Sequence, residues 1–368
     1  MKTTIRPKAA TTNTRKTSAL IVEVIRRAAD RIGAHLLVEP EWTCVGQLTY
    51  KSGVRRYFRL STLDLNTMGA SEIARDKGFA RFFLEAMGYP IPEGKTFLSP
   101  KWAKTLRSPE RGGIDNAWGY ARSIGVPVFI KPNSLSRGVG VSKAETKSEF
   151  YRASREAMRH DRVIVVEKAV LGRDYRLVVL DGQVISAYER IPLTIVGDGL
   201  STIHELLDML QIQFDLSQRE TIIDRTDFRL LTNLSKLNLS FDTILAQGRK
   251  VHLLDIANLS AGGTSVDVTD TVDPGFQDLV AKIAHDMGLR LVGVDLIVEG
   301  DLSKPPRNGH FWVIEINSAP GLDHYAAMGE RQKQIVDDLY LRVVIAMERP
   351  QEAVANVDGR MRAKWYRS

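Results

Sequence analysis

The strongest constraint in this 368-residue chain is a pair of apolar segments that carry oxygen ligands where a core would exclude them. Residues 291–298 read Leu-Val-Gly-Val-Asp-Leu-Ile-Val, apolar throughout except at Asp295. A lone carboxylate there is costly to bury unless it is paired or binds a metal. Residues 313–317 read Val-Ile-Glu-Ile-Asn and run into Ser318-Ala319-Pro320-Gly321-Leu322, a sharp turn. Strand side chains alternate, so Glu315 and Asn317 share one face. Between the segments lie Pro305, Pro306 and Asn308, which favour a loop joining neighbours in one sheet. Paired strands would bring Asp295, Glu315 and Asn317 together as a donor set for a hard cation such as Mg²⁺. Taken alone, Glu315 fits a solvated strand end better; the three together favour a metal site.

Hydrophobic content of 43% and charged content of 26% are ordinary for a globular protein. The length suits two or three lobes. The single cysteine, Cys44, rules out a disulfide within the chain or a cysteine-based zinc site. It fits a reducing compartment, so a cytoplasmic location is expected. No apolar run is long enough for a membrane helix. Residues 19–22 are too short for a signal-peptide core and run into Glu23; an organelle transit peptide is the remaining alternative. The net charge of +7 is carried by the ends: residues 1–18 contribute +5 and 358–368 contribute +3, leaving −1 between them. Basicity confined to tails expected to be disordered (1–18 and 351–368) argues against a nucleic-acid-binding face.

Along the chain, helical spacing of apolar residues predicts a helix over 19–32, ended by Gly33. A short strand at 36–38 and a hairpin over 45–60, turning at Lys51-Ser52-Gly53, follow. Ser71 is a good N-cap for one helix running to Met87, with Lys77 in its first half. Further helices are expected over 114–124, 148–159, from a Ser201 cap through Leu210, from Pro274 to Gly288, and over 331–347. Strands are expected over 126–131, 162–167, 174–180, 183–189 and 251–257, with Asp181-Gly182 a strong hairpin turn.

Three stretches carry chemistry. Lys131 ends a strand and opens a polar loop punctuated by Gly138 and Gly140. Glycines let N–H groups approach an anion, and the lysine adds a point charge. It is neither GxxxxGK[ST] nor GxGxxG, and an ordinary hairpin loop of that composition remains an equal reading. Glu167 and Asp174 bracket a turn. A connector over 168–170 there can present backbone groups to an adenine edge while the acids take amine or ribose hydrogens; singly, such acids are more often solvated. The 258–267 segment is a second small polar loop, around Gly262, Gly263 and Thr264, suited to an anion or substrate or simply to a turn.

In sequence, these pieces resemble the ATP-grasp superfamily. The order is Asp76-Lys77 before a helix, the strand-end Lys131 with its Pro132–Gly140 loop, Glu167 followed seven residues later by Asp174, and Asp295 followed by Glu315-Ile316-Asn317. The likeness spans roughly residues 70–345. The phrases Val196-Gly-Asp-Gly-Leu-Ser-Thr-Ile203, Asn258-Leu-Ser-Ala-Gly-Gly-Thr264 and Glu315-Ile-Asn-Ser-Ala-Pro-Gly-Leu322 resemble the ATP-grasp regions of cyanophycin synthetase and of the bifunctional glutathione-synthesising enzyme. Two departures stand out: Leu253-Leu254 where those relatives carry Leu-Arg, and Val268 where the cyanophycin pattern has Arg.

The resemblance implies an α+β, ATP-grasp fold with two lobes clamping ATP. The expected division is a small N-terminal α/β domain over 19–90, a central lid lobe over 91–190 and a metal-binding lobe over 191–350. It implies an ADP-forming carboxylate–amine ligase that works through an acyl phosphate on an amino acid or small peptide. ATP would be held by Lys77 and Lys131 on its phosphates, by a lid over Ser134 to Gly140, by Glu167, Lys168, Ala169 and Val170 at the adenine, and by Asp174 at the ribose. Asp295, Glu315 and Asn317 would hold two Mg²⁺ ions, with Mn²⁺ an alternative. Arg176 and the Gly262-Gly263-Thr264 loop would serve acyl transfer, and residues 320–325 would shape the substrate pocket. The partners implied are small-molecule carboxylate and amine substrates, with no nucleic acid, no membrane and a homodimer as candidate assembly. Rival readings are an ATP-grasp small-molecule kinase, a ligase acting on a protein or ribosomal peptide, and a nucleotide-binding regulator without turnover.

Overall fold

The computed structural model describes residues 20–349 except 137, 218 and 220. The basic tails at 1–18 and 351–368 lie outside the described residues. The first helix, Leu20–Ile32, buries Val22, Ile25 and Ala29 and stops at Gly33, whose φ of +69° is the left-handed end that glycine allows. Its apolar face packs with that of the last helix, Glu330–Glu348, through Val336, Leu339, Val343 and Val344. A four-stranded antiparallel meander, His35–Val38, Val45–Thr49, Arg55–Arg59 and Thr62–Leu63, adds Leu48 and Phe58 to the same core.

The single helix expected from a Ser71 cap is two helices, Met68–Arg75 and Lys77–Ala86. Asp76 between them is extended (φ −96°, ψ 108°), and its carboxylate accepts from the N–H of Phe79. A short acid that can cap outcompetes a mid-helix position. Ser71 therefore lies inside the first helix, and Lys77 opens the second.

Two sheets carry the centre of the molecule. One has the order Gly94–Leu98, Val163–Lys168, Val128–Pro132, Ser142–Ala144, all antiparallel. It is backed by the helices Gly113–Ile124 and Lys147–His160, around Phe97, Ile130, Phe150 and Ile164. The other has the order Thr264–Asp267, Gln183–Ile191, Arg173–Leu180, Leu291–Val298, Phe311–Asn317, also antiparallel. The helix Pro274–Asp286 covers one of its faces with Phe276, Val280 and Ile283; Val178, Leu180 and Tyr188 face the N-terminal core.

The hairpin 173–191 thus pairs with the 291–317 strands, so the division expected at 190/191 runs through this sheet. The chain crosses between sheets at 169–172. Gly172 fits that crossing closely: a Cβ there would come within 2.6 Å of the Val298 carbonyl.

Residues 193–256 form a further core around Leu193, Ile195, Leu207, Leu230 and Leu253, with the helices Ile203–Leu216 and Phe228–Lys236. The cap of the first is Thr202, in a capping box with Glu205, and not Ser201, whose hydroxyl donates to Asp198. The strand expected over 251–257 is only Lys250–His252, because Leu253, Leu254 and Ile256 go into this core instead of continuing the ladder. The supposed loop at 258–267 contains a 3-10 turn, Leu259–Ala261, and the edge strand Thr264–Asp267. Among the described residues no helix is long and apolar enough to cross a membrane.

Candidate active site

The second short helix is anchored to the loop after Lys131. The Asn133 carbonyl accepts from the Lys77 N–H at 3.2 Å. The Asn133 amide oxygen accepts from the Gly78 N–H at 2.8 Å, and its nitrogen donates to Asp76 at 2.6 Å. This brings Lys77 and Lys131 together at the strand end. Lys77 Nζ donates to the Leu135 carbonyl at 2.6 Å and stands 3.1 Å from Glu315 Oε1. Lys131 pairs with Glu167 Oε1, and Arg81 Nη1 lies 3.1 Å from Glu167 Oε2. Burial pushes the Lys131 ammonium down to about 7; Glu315 opposes this while Lys77 and Arg81 add to it.

The glycine loop follows Lys131 in the chain. Ser134 donates from its N–H and hydroxyl to Asp161 Oδ2, at 2.8 and 2.7 Å. Gly138 and Gly140 have φ of +70° and +67°. Arg229 Nη1 donates to the carbonyls of Gly138 and Val141, at 3.2 and 2.9 Å. At the crossing between sheets, the N–H groups of Lys168 and Ala169 donate to the carbonyls of Glu93 and Pro127, at 2.8 and 3.0 Å, and fix the connector. Val170 follows, half-buried.

Asp295 and Glu315 are register partners, and Gly293 faces Asn317. The expected convergence of the two strands is present. Asp295 does not stand alone: Arg176, its partner on the other side, reaches its two oxygens at 2.6 and 2.8 Å. Arg190 Nη2 lies 2.9 Å from Asp295 Oδ2 and 2.6 Å from Asp174 Oδ1. Burial acts to raise the Asp295 carboxyl, but the two guanidinium groups outweigh it and hold it below the usual carboxylate range. At Asp174 burial prevails over Arg190, and the carboxyl is raised. Asn317 Oδ1 accepts from the Ala319 N–H at 3.1 Å.

Five cations (Lys77, Arg81, Lys131, Arg176, Arg190) therefore meet four carboxylates (Glu167, Asp174, Asp295, Glu315). The excess is positive, as a polyanionic ligand requires. Among the described residues no three His, Cys, Asp or Glu side chains stand together as a metal cage. The donor set is two carboxylates and an amide, hard oxygens of the kind Mg²⁺ takes. The residues fit a dication: Asp295 and Glu315 are held here by arginine and lysine, positive charges standing in for it.

The Gly262-Gly263-Thr264 segment borders the same sheet. Gly262 has φ of +96°, and a Cβ on Gly263 would come within 2.7 Å of the Ile191 carbonyl. Arg219 donates to the Gly263 carbonyl at 2.6 Å, and Thr264 pairs with Ile191, next to Arg190. Farther along, Tyr325 is buried in the core, stacked on Tyr188 at 5.2 Å, with its hydroxyl on Asp267 at 3.1 Å. Leu254 is buried in the core of residues 193–256.

Arg81 and Arg190 were not singled out from the sequence. Arg81 had a signal, being one helical turn from Lys77.

A family profile described as "D-ala D-ala ligase C-terminus" matches residues 83–199. Cyanophycin synthetase of Crocosphaera subtropica is 32% identical over 266 residues, covering 70% of this chain and 29% of that protein. The glutathione biosynthesis bifunctional protein GshAB of Streptococcus mutans is 32% identical over 257 residues, covering 67% of this chain and 32% of that protein. The chain thus spans less than a third of the length of either relative. The crystal structure of a bifunctional glutathione synthetase from Pasteurella multocida superposes with a TM-score of 0.56 at 23% identity, over 89% of this chain and 44% of that one. Fold, motif order and shared identity agree on a likeness to the ATP-grasp ligases.

Proposed function

We propose that the protein is an ATP-dependent, ADP-forming ligase that joins a small-molecule carboxylate, an amino acid or small peptide, to an amine. The observation that carries this is that Lys77 reaches Glu315 and Arg176 and Arg190 reach Asp295, with Lys131 nearby on Glu167. A carboxylate is a poor electrophile, so its oxygen first takes the γ-phosphoryl group and ADP leaves. The amine then attacks the acyl carbon, loses a proton, and phosphate departs.

Lys77 and Lys131 bind the phosphates, and the Ser134–Gly140 loop excludes water. Glu167 and the 168–170 backbone receive the adenine, and Asp174 the ribose. Asp295, Glu315 and Asn317 are the residues that would hold Mg²⁺, which supplies neutralisation of phosphate charge when bound. Two ions, with Mn²⁺ as a substitute, is our reading of that donor set. Arg176 stands at the reacting end, and the Gly262-Gly263-Thr264 N–H groups suit an oxyanion. We place the seam between lobes at 169–172, where the chain changes sheets. The lone Cys44 suits a reducing cytoplasm.

ADP release measured across pairs of amino acids, with mass spectrometry of the products, tests the reading. An amide with ADP is expected. A phosphorylated product without a new amide would make the protein a kinase, and ATP binding without turnover would make it a regulator.

A further inference from the structure

The helix Lys77–Ala86 sends two cations, four residues apart on one face, to opposite ends of the cleft. Lys77 reaches Glu315 and Arg81 reaches Glu167, each at 3.1 Å. Arg81 is itself fixed: its Nη2 donates to the Pro92 carbonyl at 2.6 Å and, more weakly, to the Gly94 carbonyl at 3.4 Å. Gly94 is the register partner of Glu167, and a Cβ on it would come within 2.7 Å of the Glu167 Cβ. A planar fork on three acceptors thus sets the orientation of a carboxylate that is only 3% exposed.

We infer that Arg81 is the positioning residue that makes this site choose adenine over guanine. The inference rests on the reading above, in which Glu167 takes a hydrogen of the exocyclic amine and Lys131 turns to the phosphates. Lys131 and Arg81 each hold one Glu167 oxygen. When phosphates draw Lys131 away, Arg81 remains on Oε2 and keeps Oε1 turned to the base as an acceptor. Adenine offers N–H at that point. Guanine offers a carbonyl oxygen, which a carboxylate oxygen repels. Stripped of Arg81, the carboxylate is free to turn from the base, and both its attraction for adenine and its repulsion of guanine are lost. The other charged groups around this pair are Glu85 and Tyr120, near Arg81, and Lys77, Glu315 and Asp174, near Lys131.

Calorimetry of the full chain with non-hydrolysable ATP and GTP analogues tests this without needing the amine substrate. Wild type should prefer the ATP analogue by at least about 100-fold, within the ~10⁴–10⁵ that a site hydrogen-bonding a substrate N–H can reach. Arg81→Met should bring the two affinities to within about threefold, while Arg81→Lys keeps most of the preference. Should Arg81→Met not fold, Glu167→Gln, whose amide can donate, must show the same loss. A folded Arg81→Met, or a Glu167→Gln, that retains the full preference overturns the proposal. ATP binding by wild type without preference overturns it too, and leaves the ligase reading standing. Wild type that binds neither analogue removes both.

Discussion

Arg190 lies opposite Asp174 because the hairpin that joins them is interrupted between Val184 and Ser186, and the same guanidinium reaches Asp295 at 2.9 Å. One cation is thus shared by two buried carboxylates that carry different proposed duties. Removing it leaves Asp174 and Asp295 with Arg176 alone between them. Arg190→Met should lower stability by about 3–5 kcal/mol, the cost of leaving a buried charge unpaired. Urea unfolding measures this. Arg190→Lys should recover only part, since a point charge cannot fork between two acids. A loss below about 1 kcal/mol, typical of an exposed pair, would mean the quartet is hydrated.

Glu315 is the most accessible of the proposed metal carboxylates, and its partner is the flexible Lys77. Glu315→Gln should leave thermal stability almost unchanged. It should cut Mg²⁺-dependent ADP release on the order of 100-fold, at least the cost of disturbing a metal site's outer partners. Activity titrated against Mg²⁺ gives the readout. Unaltered activity at low Mg²⁺ would take Glu315 out of the donor set.

Much of this site could be read from residues, and the limit was register. Alternation placed Glu315 and Asn317 on one face, and the apolar run around Asp295 marked it as needing a partner; the strands do pair with Asp295 opposite Glu315. Counting back from the Asp181-Gly182 turn without an interruption sets Asp174 against Glu189, two acids. The irregularity at residue 185 sets it against Arg190 instead, and no local pattern announces that. The Ser71 cap failed because Asp76, five residues later, captures the Phe79 N–H and restarts the helix. The 251–257 strand failed because an apolar run fits a core as well as a ladder, and Leu253, Leu254 and Ile256 took the core.

Lys131 should make nucleotide binding depend on pH. Burial lowers its ammonium to about 7, so the free protein loses that charge as pH rises through this value. Phosphates favour the charged form, so above neutrality ATP binding takes up a proton, and affinity should fall by up to about tenfold per pH unit. Calorimetry in buffers of different ionisation heat detects the uptake. The stability sign is the reverse: between about 7 and the unfolded value near 10.4 the unfolded chain holds more protons, so this group's contribution to stability rises with pH. Lys131→Ala should abolish the proton uptake and weaken ATP binding; an unchanged uptake would assign the proton to another group.

Gly138 connects the glycine loop to the segment proposed for acyl transfer. A Cβ on it would fall 2.5 Å from the Asn258 Oδ1, and its φ of +70° is itself unfavourable for alanine. The Asn258 side chain ends on the loop, while its backbone carbonyl accepts from Gly263 at 3.1 Å. Gly138→Ala should therefore displace both loops together, raising the KM for ATP and weakening amide formation, at a cost of about 1–3 kcal/mol in strain. Adding Asn258→Gly removes the steric part and leaves the dihedral part. The double variant should then recover part of the ATP affinity while product formation stays low, because Gly263 has lost an ordered neighbour. Separate kinetics for ATP and amine distinguish the two effects. If Gly138→Ala changes neither KM nor product yield, the loops are independent and the close approach of Gly138 to Asn258 has no part in turnover.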